Sequence, residues 1–342
     1  MKILIVAPTW IGDAIMAQPL YQRLKQHHTP LTLDVLAPLS LYALLTRMPE
    51  VDHIIANPFA AGQLRLVERW QLGQQLKKHH YDQAIILPNS FKSAFIPWFA
   101  GIAKRTGYLG EQRYLLLNDI HRLDKTRLPR MVDRFTALAP HVGSVPAHFP
   151  RLSVNPTLRA ATLQKFGLAI DQPIAIFCPG AEYGPAKRWP PAHFAALAQL
   201  LYRKGYQVWL IGSVKEQELG QQIVAQSGLT MIQNLCGKTQ LDEAIDLMSV
   251  AKVVVSNDSG LMHVAAALAK PLVALYGSSS PAFTPPLSDL AEIVSLKLAC
   301  SPCFERVCPL SHFNCMQQLL AEQVDAAIDK VLLSAKTPYE LP

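Results

Sequence analysis

Along this chain, short runs of consecutive apolar residues alternate with longer stretches in which apolar positions recur every three or four residues. The runs fall at 3–7, 31–36, 53–56, 84–87, 174–178, 208–211, 231–235, 253–256 and 272–276, and Val, Ile and Leu dominate them. Uninterrupted apolar runs of this length predict strands covered on both faces, as in a parallel sheet. The stretches between them, among them 64–80, 194–204, 214–227 and 241–251, predict the helices that do the covering. Strand followed by helix, repeated through both halves, predicts an α/β protein of two Rossmann-like, doubly wound domains.

Between the halves, residues 142–156 carry Pro146, Pro150 and Pro156 and follow neither periodicity, which marks a linker. The expected domains are 1–156 and 157–342, each near the size at which one core serves one sheet. They are expected to face each other across a cleft. In doubly wound sheets ligands bind beyond the carboxyl ends of the strands, so the loops that follow strands are the places to search.

The formal net charge is +7, and it is concentrated. In the window 92–134 nine cations (Lys92, Lys104, Arg105, Arg113, Arg122, Lys125, Arg127, Arg130, Arg134) meet four acids (Glu111, Asp119, Asp124, Asp133), leaving +5. Two readings fit: a polyanionic partner such as nucleic acid, anionic lipid or a phosphorylated sugar, or a solvated basic face. The opening apolar run is too short for a secretory leader, and no run nears the roughly 18–20 apolar residues of a spanning helix. A cytoplasmic protein, at most peripheral to a membrane, is expected. The apolar segment 95–103, between Lys92 and Lys104-Arg105, fits a bilayer-docking surface or a buried helix.

Three loops after predicted strands carry candidate chemistry. In the first, Gly12 allows a close backbone approach and Asp13 stands at the start of a helix, as a general base or as a first-turn acid that favours the helix dipole. The second, after 174–178, holds Gly180, Gly184, three prolines and the pair Lys187-Arg188; a pre-ordered cationic loop suits a diphosphate, although snorkelling surface cations look the same in sequence. In the third, Asn257-Asp258-Ser259-Gly260 leads from strand to helix. Ser259 is placed as an N-cap, and Gly260 opens the free N–H groups of the first turn to an anion. Asp258 would repel a phosphate there and suits a sugar hydroxyl, while His263 fits a phosphate donor or a packing residue.

Several signatures are missing. Gly237-Lys238-Thr239 lacks the first glycine of a phosphate loop, since position 232 is Ile, and no Gly-x-Gly-x-x-Gly occurs. No Asp-x-Asp pair is present to hold a metal on a donor diphosphate. Of six cysteines, Cys178 and Cys236 lie in or beside apolar strands as small core residues, whereas Cys300, Cys303, Cys308 and Cys315 cluster around His312. In a cytosolic chain that cluster predicts a structural zinc site ahead of disulfides.

Four stretches together resemble glycosyltransferase family 9, the heptosyltransferases: Ile11-Gly12-Asp13, Leu87-Pro88-Asn89-Ser90-Phe91-Lys92-Ser93-Ala94, the loop from Cys178-Pro179-Gly180 through Lys187-Arg188-Trp189-Pro190, and Asn257-Asp258-Ser259-Gly260-Leu261-Met262-His263. The resemblance runs from Met1 to about Pro286 and leaves the cysteine cluster outside it. It implies a GT-B fold whose N-terminal domain holds the acceptor and whose C-terminal domain holds ADP-heptose. It further implies inverting, metal-independent transfer of heptose to an inner-core heptose of lipopolysaccharide, with heptosyl-Kdo2-lipid A as acceptor at the inner-membrane surface. By position, Asp13 becomes the base; Lys187, Gly180, Asp258, Ser259, Gly260 and His263 become the donor site; Asn89, Ser90, Lys92, Arg113 and Arg122 become the acceptor site. Two rivals stand beside it: family members acting on other core acceptors, and a nucleic-acid-binding α/β protein, which leaves the Lys187 and Asp258 loops without a purpose.

Overall fold

The computed structural model describes residues 1–60, 62–140 and 148–335. The chain divides into two compact units, Met1–Pro150 and Arg151–Pro342. Residues 142–147 of the expected linker lie outside the described residues. The division precedes Pro156 because the backbone N–H of Leu152 already donates to Ala267 O, and Asn155 caps the helix Pro156–Lys165 by accepting from the N–H groups of Thr157 and Leu158.

In the first unit the strands are β1 (Lys2–Val6), β2 (Thr32–Ala37), β3 (His53–Ala56), β4 (Gln83–Ile86), β5 (Lys104–Tyr108) and β6 (Asp119–His121). They form one parallel sheet in the order β3-β2-β1-β4-β5-β6. In the second unit β7 (Ile174–Cys178), β8 (Gln207–Leu210), β9 (Gln233–Asn234), β10 (Val253–Asn257), β11 (Leu272–Leu275) and β12 (Ala291–Val294) form another, in the order β12-β11-β10-β7-β8-β9. Counted from its own first strand, the second sheet has the order of the first. Each is the doubly wound arrangement, and in each the winding reverses at the central pair, β1 with β4 and β7 with β10.

Most of the apolar runs become the buried centre of each sheet: every residue of β4, β7, β10 and β11 is buried, whereas β3 and β9, from the runs 53–56 and 231–235, are edge strands that are only partly covered. Helices on the faces complete the cores, among them Ile11–His27 in the first unit and Pro191–Arg203 and Ala321–Ser334 in the second. Three strands escape the apolar pattern. β5, of sequence Lys-Arg-Thr-Gly-Tyr, lies inside the sheet because polar side chains satisfy one another along it. Gln83 Nε2 donates to Thr106 Oγ1 at 2.7 Å, and that hydroxyl donates to Asp119 Oδ2 at 2.8 Å. β6 and β12 are edge strands, where one flank needs no apolar partner.

The segment 95–103 resolves toward the interior. Its helix Phe95–Phe99 buries Ile96 and Pro97, and Ala100 and Ile102 follow them into the core, while Trp98 stays 44% exposed. Among the described residues, no helix is long and apolar enough to cross a membrane.

Candidate functional site

The reversal of winding in each sheet leaves a crevice at the carboxyl ends of its central strands, and most of the sequence-predicted residues lie on the loops there. In the first unit β1 runs into the helix Ile11–His27, whose first turn carries a partly exposed Asp13. The adjacent β4 runs into Pro88-Asn89-Ser90, followed by a 3-10 turn, Phe91–Ala94, that carries Lys92. Because β1 and β4 are hydrogen-bonded neighbours, the two loops leave the sheet side by side.

What shapes the β4 loop is Arg113, and here an expectation is corrected. Proposed from sequence as an acceptor contact, Arg113 is fully buried. Its Nη1 donates to Pro88 O at 2.8 Å, Ser93 Oγ at 3.0 Å and Ser90 O at 3.4 Å, while Nη2 donates to Tyr108 O. Burial pulls its pKa down to about 10, with the charge of Glu111 opposing that, so it remains a cation near pH 7. A guanidinium so surrounded has no face left for a ligand; it fixes the loop that presents Asn89, Ser90 and Lys92. The turn carrying it presses on Asn89 too, since Gly110 (φ +52) packs against Asn89 O and the N–H of Glu111 donates to the same oxygen. Arg113→Ala should therefore lower unfolding stability by about 3 kcal/mol, by stranding buried carbonyls. Denaturant unfolding checks this, and unchanged stability with a raised acceptor KM would restore the contact role.

The basic window is corrected in part with it. Arg105 donates to Leu116 O and Ile102 O, and Arg134 to Leu128 O and Pro129 O. Arg130 grips Asp133 with two bonds of 2.8 Å, and Lys104 pairs with Asp119 at 3.2 Å. Much of the local excess thus binds the protein to itself. Arg122 is exposed beyond β6, at the sheet edge and away from the central pair.

In the second unit the two loops of the central pair are tied by Asn257, the last residue of β10. Its Nδ2 donates to Pro179 O at 2.7 Å and its Oδ1 accepts from the Trp189 N–H at 3.1 Å. The indole of Trp189, wholly buried, donates to Leu319 O. Between these anchors the β7 loop carries Lys187, whose Nζ meets Asp258 Oδ2 at 2.6 Å with both side chains largely shielded from solvent. The sequence placed a cation and an acid on separate loops; the fold makes them an ion pair.

Asp258 stands just ahead of the helix Gly260–Ala267, with Ser259 at the N-cap position. Here too the structure differs from expectation. The Ser259 hydroxyl does not cap the helix but lies 3.2 Å from Ser256 Oγ. The first-turn N–H groups are thus left for an anion. One turn along, His263 is buried, its Nδ1 has no hydrogen-bond partner among the described residues, and burial presses its pKa down to about 4, with Asp258 opposing that and Lys187 adding to it. It is a neutral imidazole near pH 7. The unfolded chain takes up this proton near 6.5 and the folded chain resists it to about 4, so stability should fall as pH drops through that interval. A His263→Gln variant, followed by unfolding at several pH values, should lose this part of the slope.

Gly180 lies against Glu216, where a Cβ would meet the carboxylate carbon at 2.8 Å, and Glu216 itself closes a capping box with Ser213. Sequence reasoning passed over Ser278 and Ser279, which follow β11 with buried hydroxyls that have no hydrogen-bond partner among the described residues. Only burial reveals them, since two serines in a loop carry no pattern.

The cysteines expected to hold zinc are brought together by the fold. Cys300, Cys303, Cys308, Cys315 and His312 line one pocket, and all four thiols are free. Among the described residues, however, no group of three or more His, Cys, Asp or Glu side chains is arranged to hold a metal ion. His312 Nδ1 is taken by the Asn314 N–H at 3.0 Å and lies 4.0 Å from Cys308 Sγ.

With this geometry in place, the family can be read. A model of glycosyltransferase family 9 (heptosyltransferase) matches residues 69–314, taking in the β4 loop, the Lys187 loop and the Asp258 turn. The chain belongs to that family. It is 49% identical over 307 residues to lipopolysaccharide heptosyltransferase 2 of Escherichia coli K12, covering 86% of this chain and 88% of that one. It is 49% identical over 311 residues to lipooligosaccharide heptosyltransferase 2 of Haemophilus ducreyi, covering 86% and 89%. The solved structure of E. coli ADP-heptose lps heptosyltransferase II superposes with a TM-score of 0.88 at 43% identity, over 98% of this chain and all of that one. The protein is a glycosyltransferase, and its two doubly wound units are those of the GT-B class.

Proposed function

We propose that this glycosyltransferase moves a heptose from ADP-heptose to the inner-core heptose of lipopolysaccharide, by a single inverting displacement that needs no metal. The observation that carries the donor assignment is the shielded Lys187–Asp258 pair at the mouth of the Gly260–Ala267 helix. The near-half identity to heptosyltransferase 2 relatives supports the choice of sugar and acceptor.

In this reading Asp13 takes the proton from the acceptor hydroxyl as that oxygen bonds to C1 of the donor heptose. The bond from C1 to the diphosphate breaks on the opposite face, and ADP leaves with the electron pair. Negative charge grows on the diphosphate as it departs; Lys187 and the open N–H groups at Ser259 and Gly260 oppose it, doing what a metal does elsewhere. Asp258 holds Lys187 in place and faces the donor sugar, and neutral His263 offers a hydrogen bond without adding charge. Asn89, Ser90 and Lys92, on the loop that Arg113 pins, receive the acceptor. The first unit thus serves the acceptor and the second the donor, at the cytoplasmic surface of the inner membrane, where a lipid-linked acceptor is within reach.

Turnover of ADP-heptose with defined truncated core acceptors tests this directly. Transfer to the acceptor bearing one inner-core heptose, and not to the heptose-free core, is the expected result; the reverse preference would give the protein a different acceptor. Activity should also persist in metal-free buffer with a chelator, and a strict Mg²⁺ or Mn²⁺ requirement would overturn the metal-free mechanism.

A further inference from the structure

The segment bearing the four cysteines lies beyond the part of the chain whose motifs drew attention, yet it is built into the donor site. Its backbone braces the Lys187 loop at successive points. The Tyr183 hydroxyl donates to Phe304 O at 2.7 Å, and the Ala186 N–H donates to Arg306 O at 3.1 Å. Gly184 packs so closely on Arg306 O that any Cβ would collide with it. From the other side, the Phe304 N–H donates to Ser278 O at 2.7 Å and Ser301 Oγ donates to Gly277 O, which fastens the segment to the loop after β11. The stretch 301–306 therefore spans two loops at the carboxyl edge of the second sheet.

This brace carries a charge. The Arg306 guanidinium lies 5.2 Å from the centroid of the Tyr183 ring, and Lys187 Nζ lies 5.1 Å from the same centroid. One aromatic ring thus gathers two cations of different origin. They differ in one respect: Lys187 is neutralised by Asp258, whereas the Arg306 side chain is exposed and, among the described residues, makes no ion pair. A guanidinium held on the same ring as the paired Lys187 is suited to a phosphate, which it meets with two parallel hydrogen bonds.

We propose that Arg306 is a second cationic contact for the donor diphosphate, and that the cysteine-bearing segment exists to deliver it. The inference rests on the donor-site reading given above. Because the brace uses the Arg306 carbonyl and the charge uses its side chain, substitution separates the two: Arg306→Gln removes the charge and leaves the backbone bonds.

Calorimetric titration of ADP and of adenosine into the wild type, Arg306→Gln, Arg306→Lys and Lys187→Ala supplies the test. Arg306→Gln should weaken ADP about tenfold, leave adenosine binding and melting temperature unchanged, and be partly rescued by Arg306→Lys. The donor KM should rise by a similar factor while the acceptor KM holds. If Arg306→Gln binds ADP like the wild type while Lys187→Ala does not, the inference fails and the donor site stands. If neither substitution affects ADP, both fail. Equal losses for ADP and adenosine would also overturn the proposal, by placing the residue against the nucleoside.

Discussion

Asp13→Asn should fold normally, bind ADP-heptose as the wild type does, and lose about 10²–10⁴-fold in kcat, the range that a positioned general base contributes. The amide preserves the shape of the carboxylate and its reach to a hydroxyl but cannot accept a proton from it. A sugar hydroxyl is too weak an acid to ionise unaided near neutral pH, so the rate falls although the substrates are still held. Asp13 stands in the first turn of the Ile11–His27 helix, where a negative charge also favours the helix dipole. That contribution is worth only about 0.3–1 kcal/mol, so melting temperature and turnover distinguish the two roles. Near wild-type turnover in Asp13→Asn, with a small drop in stability, would return Asp13 to a helix-terminal acid.

The second large effect is expected at Lys187. Lys187→Ala should lower kcat/KM for ADP-heptose by about 10²–10³-fold and leave the acceptor KM nearly unchanged, because the charge it removes matters most as the diphosphate departs. The substitution also strands Asp258, which is only 5% exposed and loses its partner at 2.6 Å. A buried unpaired carboxylate is itself costly. The double variant Lys187→Ala/Asp258→Asn separates these contributions: it should recover stability without recovering donor use. Wild-type kinetics towards ADP-heptose in Lys187→Ala would remove the diphosphate role, and full recovery of donor use in the double variant would reduce Lys187 to a counter-ion of Asp258.

The order of elements was written in local pattern. The run 174–178 is β7 and 53–56 is β3, residue for residue, and most other apolar runs lie within a residue or so of their strands. A strand covered on both faces must be apolar along its whole length, and that condition is visible without knowing its neighbours. The loops were legible for a related reason. A glycine followed by an acid or a serine, between strand and helix, records a backbone turn and a helix terminus, which are local features.

Charge, satisfaction and proximity were decided elsewhere. β5 is a strand because Gln83 and Asp119, on the strands that flank it, respectively supply and accept the hydrogen bonds its Thr106 needs. A formal charge count treats Arg113 and Arg306 alike, yet one is sealed among carbonyls and the other projects towards solvent beside Lys187. The spacing of four cysteines suggested ligands, and the fold does gather them on one pocket, but only the structure shows that the Asn314 N–H occupies the nitrogen of His312 that faces Cys308. Lys187 and Asp258 are 71 residues apart and became one ion pair only when β7 and β10 were laid side by side. A sequence specifies which groups can bond; the chain must close over long separations before it is settled which of them are left free for a substrate.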